Sequence, residues 1–225
     1  MNAMPAELRD RLASEYQPVH ALRLPWVRAV SVLPFALLAL VAAPMVFDVR
    51  HDATRLGWVG VWGFSLLQCA IGFVVVAAAL RESVPGRGWS RGALALWLTL
   101  PIVAIVAVTM TSWQSSPVLL RGQWWVVLGM CFSGSAATAL PVVALASVLA
   151  ARAYPTRPAL AGALIGLGAG LMADAGWRIF CHFSEPAHVL SAHLAAVAMS
   201  AVIGALVSVR LKPDTTGITP GTRAR

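Results

Sequence analysis

Sixteen residues, Arg178-Ile179-Phe180-Cys181-His182-Phe183-Ser184-Glu185-Pro186-Ala187-His188-Val189-Leu190-Ser191-Ala192-His193, gather most of the groups in this chain that could do chemistry. They hold one of the three cysteines and three of the five histidines, with Arg178 and Glu185 as charges. Thiolates beside imidazoles are soft-metal ligands, and thiols facing an oxidising space can also form a disulfide. With the cysteine that could meet Cys181 from another element, the candidate ligand set is Cys131, Cys181, His182, His188 and His193, with Glu185 as an oxygen donor. The spacing Cys-His-x5-His-x4-His matches no zinc signature, so a transient heavy-metal ion here is geometric opportunity only. For each imidazole taken singly, hydrogen bonding at an interface is the plainer reading. No serine, histidine and acid arrangement, phosphate-binding glycine loop or pair of carboxylates accompanies them, so the chain reads as a non-enzyme without a resident cofactor.

The wall around these groups is apolar. Of 225 residues 59% are hydrophobic and only 12% charged, and mean hydropathy is +0.76. A soluble domain carries about 25% charge, so the chain reads as an all-α polytopic membrane protein. Six apolar runs predict six transmembrane helices, at 29–47, 57–80, 93–113, 131–150, 159–177 and 191–209. That divides the chain into an arm (1–28), a membrane domain (29–209) and a tail (210–225) whose composition predicts disorder. The competing reading of the first run as a cleaved signal fails, because 28 residues with three acids make a poor n-region. The stretch 114–130 predicts the longest irregular segment, marked as interfacial by Trp113, Trp124 and Trp125. Pro101 predicts a kink in the third span without breaking it. The formal charge of +8 is spread singly between apolar runs, which argues against direct nucleic-acid binding.

Lysine and arginine set the orientation. Thirteen flank the side that holds both termini and four flank the other, which places the termini in the cytoplasm and the histidine stretch outside. Counted from the loop at 151–158, Cys131 and Cys181 lie at about 30 and 33 Å and so share an outer depth. Whether they form a structural disulfide or a responsive thiol pair stays open. Cys69 falls near the middle of its span, out of reach of either, and has no assigned role.

Two further patterns concern partners. In the arm, Leu8, Leu12 and Tyr16 recur at helical spacing and Pro18 ends the turn before Val19, which predicts a short amphipathic helix. It either lies on the headgroups or orders on a cytosolic partner. In the fifth span, Gly162, Gly166 and Gly170 make a small-residue stripe for close helix approach, within the chain or to a second copy in a homodimer. Asp174 continues that face, with Arg178 four residues on as its expected ion-pair partner within the membrane. A transport pathway through Asp174 is the alternative reading of function.

At this point the residues resemble a family. Leu12-Ala13-Ser14-Glu15-Tyr16-Gln17-Pro18-Val19, followed by Leu24-Pro25-Trp26-Val27-Arg28 before the first span, resembles the start of the bacterial negative regulators of sigma factor F. A cysteine at the outer start of the fourth span (Cys131) and one just after the fifth (Cys181), followed by Glu185-Pro186 and His188, continue the likeness as far as Lys212. Tyr16 stands where an aliphatic residue is expected and His182 where proline is usual. The resemblance implies a six-span anti-sigma factor of the bacterial inner membrane. Its cytoplasmic side, through Leu8, Leu12, Tyr16, Pro18 and Val19, would hold an extracytoplasmic-function sigma factor. Its outer cysteines would release that factor under heavy-metal or oxidative stress.

Overall fold

The computed structural model describes residues 5–15, 22–120 and 122–211. Tyr16, Pro18, Val19 and the tail from Lys212 lie outside the described residues. The described residues form seven helices and no strand: α1 (Ala6–Glu15) and six spans, α2 (Pro25–Phe47), α3 (Ala53–Glu82), α4 (Arg91–Ser115), α5 (Trp124–Ala151), α6 (Pro158–Phe180) and α7 (Pro186–Arg210). Each span is long and apolar enough to cross a bilayer, and a helix satisfies its own backbone groups there. Proline opens α2, α6 and α7, where its missing N–H costs nothing, and Ser90 caps α4 by accepting from the Ala93 N–H at 3.3 Å.

The spans are longer than their apolar cores. The predicted irregular stretch ends early, because α5 already starts at Trp124 and Cys131 sits about two turns inside it. The sixth span likewise starts at Pro186, well before Ser191, so His188 as well as His193 belongs to the helix. In both places polar or aromatic residues at a span's edge suggest a loop, whereas backbone hydrogen bonding carries the helix on through them. Pro44, Pro101 and Pro141 all sit inside continuous spans.

At the centre stands α6, which touches each of the other five spans. Glycines on several of its faces make this possible. A Cβ at Gly166 would run into the Ser200 carbonyl and Ala201 of α7, and one at Gly162 would meet Ser208 Oγ at 2.6 Å. The predicted stripe is thus taken up within the chain, by α7. On the opposite face Gly168 and Gly72 of α3 allow each other's carbonyl to approach, and Gly176 admits the Ala39 carbonyl of α2. Such contacts draw backbones together where lipid supplies no hydrophobic drive between helices.

The two ends of the bundle are closed differently. At the arm end an Arg28 guanidinium nitrogen donates to the Leu149 carbonyl, one of the unpaired acceptors that end α5. Nearby, buried Glu82 accepts from the Trp89 N–H at 2.7 Å and pairs with Arg157 at 2.5 Å. The far end, called here the cysteine end, is closed by three connecting segments, 48–52, 116–120 and 181–185. The Arg50 N–H donates to the Ile179 carbonyl (2.9 Å), and its guanidinium pairs with Asp52 (2.5 Å) and reaches the His182 carbonyl (3.3 Å). Ser184 Oγ donates to the Ser116 carbonyl at 2.6 Å, and Glu185 accepts from the Leu120 N–H at 3.2 Å.

Candidate functional site

Beneath those segments four ligand atoms converge, one each from Cys131, Cys181, His188 and His193, all within 4.8 Å of one another. Every one of these residues is buried. Cys131 comes from α5, Cys181 from the first residue after α6, and the two histidines from the start of α7. The sulfurs stand 3.7 Å apart and both thiols are free. His188 Nε2 lies 3.4 Å from Cys181 Sγ, and the two imidazole rings are 5.2 Å apart.

The helix that carries the histidines has a local reason for presenting both. Residues five apart point about 140° away from each other on an α-helix. Here Val189–Leu194 forms a π-helical turn, whose hydrogen bonds close over five residues and return His193 to the side of His188. Around them, Phe132, Phe180 and Phe183 pack against the cysteines and Ala192.

One layer deeper, the charges arrange themselves otherwise than spacing predicts. Asp174, fully buried, pairs with His193 Nδ1 at 2.6 Å, not with Arg178. Its second oxygen accepts from Gln68 Nε2 at 2.7 Å, and the same amide donates to the Leu171 carbonyl at 3.2 Å. Arg178 instead donates to Thr109 of α4 at 3.2 Å. Four residues of separation place Asp174 and Arg178 on the same side of α6, but the arginine is drawn towards the polar segments at the cysteine end. The bond to Asp174 holds a proton on His193 Nδ1 and leaves Nε2 for the cluster, the usual arrangement of a ligating histidine.

His182, a candidate from the sequence, does not join the four. Its ring lies against His51 (5.2 Å) and Phe183 (4.1 Å), and burial pushes its imidazole below the ordinary value. Glu185 is likewise turned to the Leu120 N–H. Burial pushes Asp52 up, but the hydrogen bond and charge of Arg50 outweigh it and hold the carboxyl below the ordinary range. The hydrogen bond from Cys131 is the main reason that Cys181 is held well below the ordinary thiol range. Burial opposes it, while His188 and His193 act in the same direction. Cys69 sits in a separate part of the core.

Sequence reasoning passed over Gln68, Thr109, Arg50 and Asp52. For Gln68 the signal was present, since an amide in an apolar run needs a partner inside the bundle. Among the arm residues α1 carries Leu8, which is 48% exposed, and Leu12.

Comparison with known proteins adds one match: a family model described as a negative regulator of sigma F covers residues 12–212. Neither the curated proteins nor the solved structures give a match.

Proposed function

The chain belongs to the family of negative regulators of sigma F, and on that membership we propose that it is a membrane-embedded anti-sigma factor. Its arm end holds an extracytoplasmic-function sigma factor on the cytoplasmic side of a bacterial inner membrane. The thiols at the cysteine end release that factor when heavy metal or an oxidant reaches them. The observation that carries this reading is the convergence of Cys131 and Cys181 with two imidazoles at the end of the bundle opposite the arm. The count of thirteen basic residues against four supports a cytoplasmic arm.

The ligands come from α5, from the residue that ends α6 and from α7, so any change in the cluster's internal distances shifts these three helices against one another. Contact between α6 and α7 is backbone to backbone along the glycine stripe, and close-packed interfaces pass on displacement rather than absorb it. Oxidation by a peroxide would form the Cys131–Cys181 bond, with two thiol protons and two electrons reducing the peroxide to water. The sulfurs would then close from 3.7 Å to about 2.05 Å. Asp174 is enclosed with both oxygens bonded, which suits an orienting group better than a transport pathway.

The test is induction of the sigma factor's target genes by cadmium, chromate or peroxide. Cys131→Ser and Cys181→Ser each lose the response as fully as the double variant, because either change removes a shared partner. Cys69→Ser responds normally. Full induction in both cluster variants would remove the cysteines from the mechanism.

A further inference from the structure

We propose that Cys131, Cys181, His188 and His193 form a tetrahedral centre for a soft divalent metal ion such as Zn²⁺ or Cd²⁺, with Asp174 and Gln68 orienting His193. As the stimulus for sigma-factor release, the ion rests on the anti-sigma reading above; its binding does not.

The spacing of the ligand atoms already suits an ion. With metal–sulfur bonds of about 2.3 Å and metal–nitrogen bonds of about 2.0–2.1 Å, a tetrahedron has sulfur–sulfur edges of about 3.8 Å and sulfur–nitrogen edges of about 3.6 Å. The observed separations are 3.7 Å between the sulfurs and 3.4 Å from Cys181 Sγ to His188 Nε2, with no pair in the set beyond 4.8 Å. An ion needs shifts of a few tenths of an ångström at those two edges and of up to about an ångström at the longest. A disulfide would need the sulfurs to close by well over an ångström and would leave both imidazoles without a task.

Charge supports the same ligand class. Two thiolates balance a divalent ion and two neutral imidazoles add no charge, so the ion and its four ligands are neutral together, while the Asp174 carboxylate beyond them keeps its bonds to His193 and Gln68. That is the form an apolar interior tolerates, since an uncompensated buried charge is costly. Hard ions such as Mg²⁺ or Ca²⁺ would need oxygen ligands, and the neighbouring carboxylates are engaged elsewhere: Glu185 by Leu120, Asp174 by His193 and Gln68.

The two histidines differ in how they are held. His193 has the carboxylate–histidine arrangement typical of metal sites, extended to the Gln68 amide. His188 turns Nε2 to the sulfurs while its buried Nδ1 has no hydrogen-bond partner among the described residues, so the sulfur contact and ring packing orient it. His188 is thus set by ring packing against Trp124, Phe183 and His193, whereas His193 is preset by its bond to Asp174.

The experiment is titration of the reduced full-length protein in detergent with Co²⁺ and Cd²⁺ under anaerobic conditions. The expected result is one ion per chain, thiolate-to-metal charge-transfer absorption with both ions, and the visible bands of tetrahedral Co²⁺. Cys131→Ser and Cys181→Ser each lose most of the charge-transfer band. His188→Gln and His193→Gln keep it, shift the visible Co²⁺ bands and weaken binding more than tenfold. Asp174→Asn keeps both bands and weakens binding about 10–100-fold. Cys69→Ser and His182→Gln behave as wild type. Should His193→Gln fail to fold, His188→Gln carries the test, since its Nδ1 leaves no structural bond to break. Absence of charge transfer at equimolar ion, a Cys131–Cys181 disulfide formed in place of ion binding, or spectra and affinity unchanged in the histidine variants would each overturn the centre. Sigma-factor retention on the same preparations separates the two readings. Ion binding without retention removes the anti-sigma role alone, and retention with cadmium-driven release but no charge transfer removes the centre alone.

Discussion

Gln68 shows how much one side chain contributes to placing the cluster. Its amide donates to Asp174 and to the Leu171 carbonyl, and Asp174 in turn fixes the ring of His193. A buried carboxylate depends on such charge-assisted bonds, since no water reaches it. Gln68→Met keeps the length of the side chain and removes the donor, at a cost of about 2 kcal/mol. The measurement is thermal melting in detergent, and an unchanged melting temperature would mean that His193 alone satisfies Asp174. The residue scale also explains why His182 stands apart although it adjoins Cys181. The chain leaves α6 in an extended conformation at Cys181, so successive side chains point to opposite sides.

Among the elements, α6 decides the packing. Its windows of glycine face α7, α3 and α2 in turn, and α5 answers with Gly134, whose missing Cβ makes room for the Trp177 indole. The same indole donates to Thr138 of α5 at 3.2 Å, so a bulky residue in a helix of small ones acts as the spacer to α5. Gly166→Leu forces α7 away from α6, with an expected loss of about 3 kcal/mol from overpacking. Gly129→Ala, which adds its methyl in open space, is the control and melts as wild type. If Gly166→Leu melts with that control, the α6–α7 contact is looser than the backbone positions require. The π-helical turn at the start of α7 belongs to this scale too, because without it His188 and His193 would face different neighbours.

For the whole molecule, the arm and the cluster lie at opposite ends of one bundle, joined by α6 and α7. The described side chains of α1 are exposed, and under the proposed function the sigma factor covers that helix. Deleting residues 1–20 therefore leaves the six spans inserted and abolishes retention of the sigma factor. Co-purification of the sigma factor with the truncated protein at the wild-type level would sink that proposal. The interlocked segments over the cysteine end bury the thiols, so a membrane-impermeant thiol reagent is expected to label Cys131 and Cys181 slowly while those segments stay closed.

Composition and periodicity were enough for the number of spans, because burying a helix in lipid needs little beyond some twenty apolar residues in a row. The glycine stripe announced a close helix approach, and the rise per residue put Cys131 and Cys181 at one depth. Other features depended on contacts between residues far apart in the chain, which spacing along one helix does not encode. Asp174 found His193 and Gln68 because α7 and α3 present those groups at its depth, while its neighbour in spacing, Arg178, was drawn to Thr109. The exclusion of His182 and the inclusion of both His188 and His193 turned on a helix end at Phe180 and a π-helical turn at Val189–Leu194. Neither has a residue pattern of its own, since both follow from how α7 must seat against α5 and α6.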